Sequence, residues 1–112
     1  VHITSGGFSN LNRVENDNIR FVIDPLPPVP EVFKLIQDLG EVSDAEMYEV
    51  FNMGIGFCVI VEGTREVQAV SKICKEHGIN THMIGCIEPC HGKEVTIPEC
   101  SLIGKGQKIS PA

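Results

Sequence analysis

Ser43-Asp44-Ala45-Glu46-Met47-Tyr48-Glu49-Val50-Phe51-Asn52-Met53-Gly54-Ile55-Gly56-Phe57-Cys58-Val59-Ile60-Val61 decides the fold class, because this one stretch holds a helix start, a helix stop and a candidate strand. Ser43 and Glu46 make a capping box: the serine hydroxyl accepts the Glu46 amide proton, and the glutamate reaches back to the Ser43 amide. Val42 and Met47 occupy the two positions of a hydrophobic staple, and Met47, Val50 and Phe51 form the stripe expected to be buried. Asn52-Met53-Gly54 breaks the helix. The run Ile55–Val61 is apolar on both faces, which predicts a strand covered on both sides.

The same alternation continues on either side. Upstream, Glu31–Leu39 carries Val32, Leu35, Ile36 and Leu39 at helical spacing, with Pro30 suited to the first turn and Gly40 to the stop. The proline-rich connector from Asp24 to Pro30 holds its residues extended and separates that helix from a predicted strand, Ile19–Ile23, which follows a turn at Asn16-Asp17-Asn18. Downstream, Thr64–His77 is a second amphipathic helix, with Val67, Val70, Ile73, Cys74 and His77 on one face and Gly78 as its stop. Thr81–Glu88 and Glu94–Pro98 are predicted strands around a turn at Pro89–Gly92. Helices and strands therefore interleave, the pattern of an α/β domain with a mixed sheet.

Composition narrows the function classes. The chain has 112 residues and a formal net charge of −6, enough length for one domain with a hydrophobic core and the wrong sign for a nucleic-acid binder. Residues 1–62 hold ten acids and three bases (−7), whereas 63–112 hold five acids and six bases (+1), so solvated acidic helices are expected in the first half. No apolar run approaches the roughly 20 residues of a membrane-spanning helix. Val1 opens into polar sequence with neither an initiator Met nor a signal peptide, so a fragment or processed product in a cytoplasmic setting is expected. Cys58, Cys74, Cys86, Cys90 and Cys100 are an odd number at irregular spacing, which does not describe a disulfide framework.

Two glycine-bearing segments are candidates for chemistry. In His2-Ile3-Thr4-Ser5-Gly6-Gly7-Phe8 a short strand runs through Ser-Gly-Gly into a predicted helix carrying Phe8, Leu11 and Val14. Such a turn lets backbone amides converge on an anion near a helix N-terminus, with the Thr4 and Ser5 hydroxyls as extra donors. The pattern is neither a P-loop nor a dinucleotide fingerprint, and the glycine pair also reads as a plain turn requirement. In Phe51-Asn52-Met53-Gly54-Ile55-Gly56, Asn52 offers an amide beside bare backbone, or the glycines simply serve a tight turn. Cys86, Cys90, His91 and Cys100 could supply soft metal ligands, but C-x3-C-H matches no paired zinc knuckle, and no metal site is assigned. No nucleophile–base pair or carboxylate pair stands out, so the catalytic residues are unassigned.

Taken together and in order, the two glycine motifs are more specific. The segment His2–Arg13 resembles the His-Ile-Thr-Gly-Gly-Gly region of the aminoimidazole ribonucleotide synthetases, also called phosphoribosylformylglycinamidine cyclo-ligases. Ile23-Asp24, Pro30-Glu31-Val32-Phe33, Glu46-Met47-Tyr48, Phe51–Gly56 and Ile84-Gly85 follow in that family's sequence. The likeness runs from Val1 to about Glu99 and leaves the tail from Cys100 to Ala112 unplaced. It implies a C-terminal domain of three-layer α-β-α type with a mixed sheet. That domain would close a cleft against an N-terminal domain, absent from this sequence, that forms a homodimer and most of the ATP site.

The reaction implied is part of purine biosynthesis. ATP and Mg²⁺ activate the formyl amide oxygen of formylglycinamidine ribonucleotide, an internal amidine nitrogen closes the imidazole ring, and ADP and phosphate leave. By matched position, the cleft wall would hold phosphate or substrate oxygens with His2, Thr4, Gly6, Gly7, Asn10 and Arg13, and with Asn52, Gly54 and Gly56. Ser5 joins this set although it replaces the first glycine of the family triplet, where a left-handed backbone would carry strain; Asn12 stands where the family often has proline. Three alternatives accompany this expectation. They are a stand-alone, non-catalytic binding or regulatory domain of the same fold, a related ATP-dependent phosphotransfer enzyme of the superfamily, and the Cys/His metal module.

Overall fold

The mixed sheet forms with an order that local pattern does not disclose. A computed structural model describes residues 1–112. The strands are β1 (Asn18–Ile23), β2 (Gly85–Pro89), β3 (Gly92–Ile97), β4 (Leu102–Lys105) and β5 (Lys108–Pro111), and the helices are α1 (Glu31–Gly40), α2 (Asp44–Val50) and α3 (Thr64–Glu76). The five strands lie in the order β2-β1-β3-β4-β5. β1 runs parallel to β3, with Phe21 opposite Val95, and antiparallel to β2, with Phe21 opposite Ile87. β2 and β3 are consecutive in the chain but do not pair, because β1 lies between them. The α/β class with a mixed sheet is as expected.

The core lies on one face of this sheet. Alternation brings Phe21 and Ile23 of β1, Val95 and Ile97 of β3, Leu102 of β4 and Ile109 of β5 to the same side, and all are buried. Phe8 and Leu11 from a 3-10 helix (Gly7–Arg13) and Met47 and Tyr48 from α2 join them in one apolar cluster. The opposite face carries Arg20, Glu94 and Lys105. There the Arg20 Nε donates to Glu94 Oε1 at 2.6 Å, and the Lys105 ammonium lies 3.9 Å from the second Glu94 oxygen.

Several local expectations need correction. The segment after Arg13 is not reached by an α-helix; Gly7–Arg13 is a 3-10 helix, whose threefold repeat puts Phe8 and Leu11 on one side. Ser43 Oγ accepts the Glu46 N–H at 3.2 Å, but the reciprocal half of the capping box does not form. In α2 the buried residues are Met47 and Tyr48, whereas Val50 is exposed. Ile55–Val61 is not a strand. Its backbone makes a single bridge, between His2 and Phe57, with Ile3 N–H donating to Gly56 O at 2.9 Å and Cys58 N–H to Val1 O at 2.8 Å. Phe57, Val59 and Ile60 are exposed. The unplaced tail is the β4–β5 hairpin, preceded by a short 3-10 turn (Pro98–Cys100). Finally, α1 and α3 have no buried residue, and Leu35 and Leu39 of α1 face solvent. No helix is long and apolar enough to cross a membrane.

Candidate functional site

The glycine loop is held by its own side chains. Gly6 and Gly7 adopt left-handed φ values of 101° and 54°. Ser5 does not, so the serine in place of the family's first glycine brings no left-handed strain. Ser9 Oγ donates to Gly6 O at 2.6 Å, and Asn10 Nδ2 donates to Gly7 O at 2.7 Å, with longer contacts to the Thr4 and Ser5 carbonyls at 3.2 and 3.3 Å. These bonds turn the loop's carbonyls inward. Gly7 N–H is also used, donating to Thr4 O at 3.0 Å, whereas the amides of Ser5 and Gly6 donate to no group of the chain.

A glycine at position 7 is required by space as well as by backbone angle. A Cβ built there would lie 1.9 Å from the Tyr48 carbonyl oxygen and 2.8 Å from that of Phe51. The loop is thus seated against the last turn of α2, and the Phe8 and Tyr48 rings stack with centroids 5.9 Å apart. Burial pushes the Tyr48 phenol up to about 12, helped by the nearby Cys100 sulfur and by the carboxylates of Asp44 and Glu99. Burial, followed by the same two carboxylates, raises the Cys100 thiol as well.

Beside this loop is a polar cavity of about 560 Å³. Ser5, Gly6, Ser9, Asn10, Asn12 and Arg13 form one wall, Glu49 and Val50 at the end of α2 a second, and Gly106 and Gln107 at the β4–β5 turn a third. Asn12 links the first wall to the third, its Nδ2 donating to Gly106 O at 3.0 Å. Glu49 links the second to β5, accepting the Ile109 N–H on Oε2 at 2.8 Å. The Arg13 side chain makes no hydrogen bond or ion pair, so its donors are free for a ligand.

Of the residues singled out from sequence, Ser5, Gly6, Asn10 and Arg13 line this cavity. Asn10 is buried, and its amide holds the loop. Gly7 lies beneath it, Thr4 contributes carbonyl acceptance to the loop, and His2 stands apart in the bridge to Phe57. The second glycine segment does not reach the cavity. Asn52 Oδ1 accepts the Gly54 N–H at 2.9 Å, and Gly54, at φ 96°, packs where a Cβ would strike the Pro30 ring at 2.6 Å. Asn52 and Gly54 therefore shape the contact with the proline connector, whereas Gly56 accepts the Ile3 N–H on its carbonyl. Ser9, Asn12, Glu49, Gly106 and Gln107 are the cavity residues that sequence reasoning passed over. Cys86, Cys90, His91 and Cys100 do not converge, and no three His, Cys, Asp or Glu side chains gather as a metal-holding group.

Fold and cavity together define an α/β domain that presents a glycine loop and an arginine to a polar cleft. The chain belongs to the family described as AIR synthase related protein, C-terminal domain, whose model matches residues 1–98. The phosphoribosylformylglycinamidine cyclo-ligase of Methanococcus maripaludis (strain C6) is 48% identical over 88 residues, covering 79% of this chain and 25% of that protein. That of Methanocaldococcus jannaschii is 48% identical over 85 residues (76% and 24%), and that of Methanothermobacter thermautotrophicus 39% over 101 residues (90% and 28%). The chain thus spans about a quarter of the length of the curated relatives it matches.

Proposed function

We propose that the chain is the C-terminal domain of a phosphoribosylformylglycinamidine cyclo-ligase of purine biosynthesis, working in the cytoplasm, and that its cavity binds formylglycinamidine ribonucleotide. One observation carries this: the unengaged amides of Ser5 and Gly6 and the unpaired Arg13 guanidinium meet on one wall. Amides fixed by a loop, together with a forked cation, suit the oxygens of a phosphate ester. The Ser5 hydroxyl can add a donor, whereas that of Ser9 is spent on Gly6 O.

The residues' work is to bind and orient. With the anion held at Ser5, Gly6 and Arg13, the formylglycinamidine end of the substrate would lie in the cavity, which the partner domain would close for ring closure. ATP and Mg²⁺ supply activation of the formyl oxygen in that reaction. This chain's cavity suits a phosphate ester but offers a divalent ion a single carboxylate, Glu49, rather than a cluster, so both are assigned mainly to the N-terminal domain, through which the enzyme would also dimerise. The 112 residues by themselves should turn over nothing.

Calorimetry of the purified chain with formylglycinamidine ribonucleotide tests the reading. Arg13→Ala is expected to weaken binding about tenfold or more, the scale of a lost charge-assisted hydrogen bond. Absence of binding by the unsubstituted chain, or equal binding by the variant, would refute it.

A further inference from the structure

Resting on the cavity reading above, we propose that Glu49 is a specificity-determining residue: it takes the cationic amidine of the ligand, across the cavity from the Arg13 wall that takes the anion. Glu49 is half-buried at the last turn of α2 and lines the cavity. One carboxylate oxygen accepts the Ile109 N–H at 2.8 Å, and nothing in the chain donates to the other. The ion pairs of the molecule join Arg20 to Glu88 and Glu94, Lys93 to Asp17, and Lys105 to Glu94, so neither Glu49 nor Arg13 is neutralised by the protein. A carboxylate and a guanidinium therefore share one cavity without pairing. The β5 amide fixes the position of the carboxylate through one of its two oxygens.

A cavity with one uncompensated charge of each sign favours a ligand that carries both. Formylglycinamidine ribonucleotide does so, having a phosphate at one end and an amidine, protonated at neutral pH, at the other. The corresponding amide has nearly the same shape but puts a carbonyl oxygen where the amidine has an N–H. Facing Glu49, the amidinium donates a charge-assisted hydrogen bond, whereas the amide oxygen meets a carboxylate acceptor and is repelled. Glu49 thus discriminates between two ligands that the anion-binding wall cannot tell apart. The assignment also gives the C-terminal hairpin a role, since Ile109 holds the discriminating carboxylate and the hairpin turn completes the cavity.

The test is calorimetry of the purified chain with the amidine nucleotide and with its amide counterpart. The expected result is tighter binding of the amidine by about tenfold or more, the lower end for a hydrogen bond to a charged group. Glu49→Gln should remove that preference by weakening the amidine while leaving the amide unchanged or improved. The Gln carbonyl can still accept from Ile109, and an unchanged melting temperature will show that β5 stays in place. Should that variant fail to fold, Glu49→Asp, which keeps the charge but withdraws it by one methylene, is read by the same ratio and should shrink the preference. Equal binding of the two nucleotides, or a preference that survives in Glu49→Gln, overturns the role of Glu49 while leaving the nucleotide site standing. Binding of neither nucleotide overturns the nucleotide site and this assignment with it.

Discussion

Replacing Gly7 by alanine tests how the loop is seated, and Gly106→Ala supplies its control. Both glycines are left-handed, at φ 54° and 60°. An added methyl group meets very different surroundings at the two positions. At Gly106 it finds nothing within 4 Å, whereas at Gly7 it would lie 1.9 Å from the Tyr48 carbonyl oxygen. The left-handed backbone costs a non-glycine residue about 1–2 kcal/mol, and that is the whole expected effect at Gly106. At Gly7 an overpacking term of about 1–3 kcal/mol or more is added, because the obstacle is backbone and cannot swing aside. Movement of the loop would also break the 2.7 Å bond from Asn10 Nδ2 to Gly7 O. The two variants should therefore differ by about 2 kcal/mol, roughly 8 °C or more in Tm for a domain of this size. Urea unfolding followed by circular dichroism measures this, with unchanged m-values as the check on two-state behaviour. Gly7→Ala should also lose ligand binding, since the Ser5 and Gly6 amides would be displaced. Equal destabilisation by the two substitutions would refute the steric argument and leave only backbone conformation to explain the glycine.

Two further predictions concern α2. Tyr48 is the chain's only tyrosine, so its phenolate absorbance can be titrated without ambiguity, and half-ionisation is expected near pH 12 while the protein stays folded. The folded value lies above the unfolded one, so the stabilisation is complete below pH 10 and is lost as pH rises from 10 toward 12. The loss amounts to at most about 3 kcal/mol, and Tyr48→Phe should remove that part of the slope. Ser43→Ala removes the acceptor of the Glu46 N–H and should cost about 1 kcal/mol by urea titration; no measurable change would mean that the cap contributes nothing to α2.

The division between legible and hidden features follows from distance along the chain. α1, α2 and α3 lie within a residue or two of the expected helices, because periodicity, the Ser43 cap and the Gly78 stop all act within one turn, although α1 runs through Gly40 and ends on a left-handed Glu41. The glycine loop was legible for the same reason. Ser5, Gly6, Asn10 and Arg13 belong to one continuous segment, and the backbone that exposes the Ser5 and Gly6 amides is held by bonds within it.

Periodicity marks an apolar face without saying what covers it. The stripe of α1 is real but lies in solvent, and the apolar run Ile55–Val61 does not pair into the sheet. Nor does alternation within each strand reveal that β1 inserts between β2 and β3. The two walls of the cavity supplied by Glu49 and by Gly106 and Gln107 were hidden because α2 and the hairpin meet only in the tertiary structure, through the shared core and the Ile109 N–H to Glu49 bond across 60 positions. Local sequence chemistry determined the helices, the Ser43 cap and the backbone of the glycine loop. Tertiary structure alone decided the strand order, the one-sided core and the carboxylate that shares the cavity with Arg13, because those depend on which distant surfaces the chain brings together.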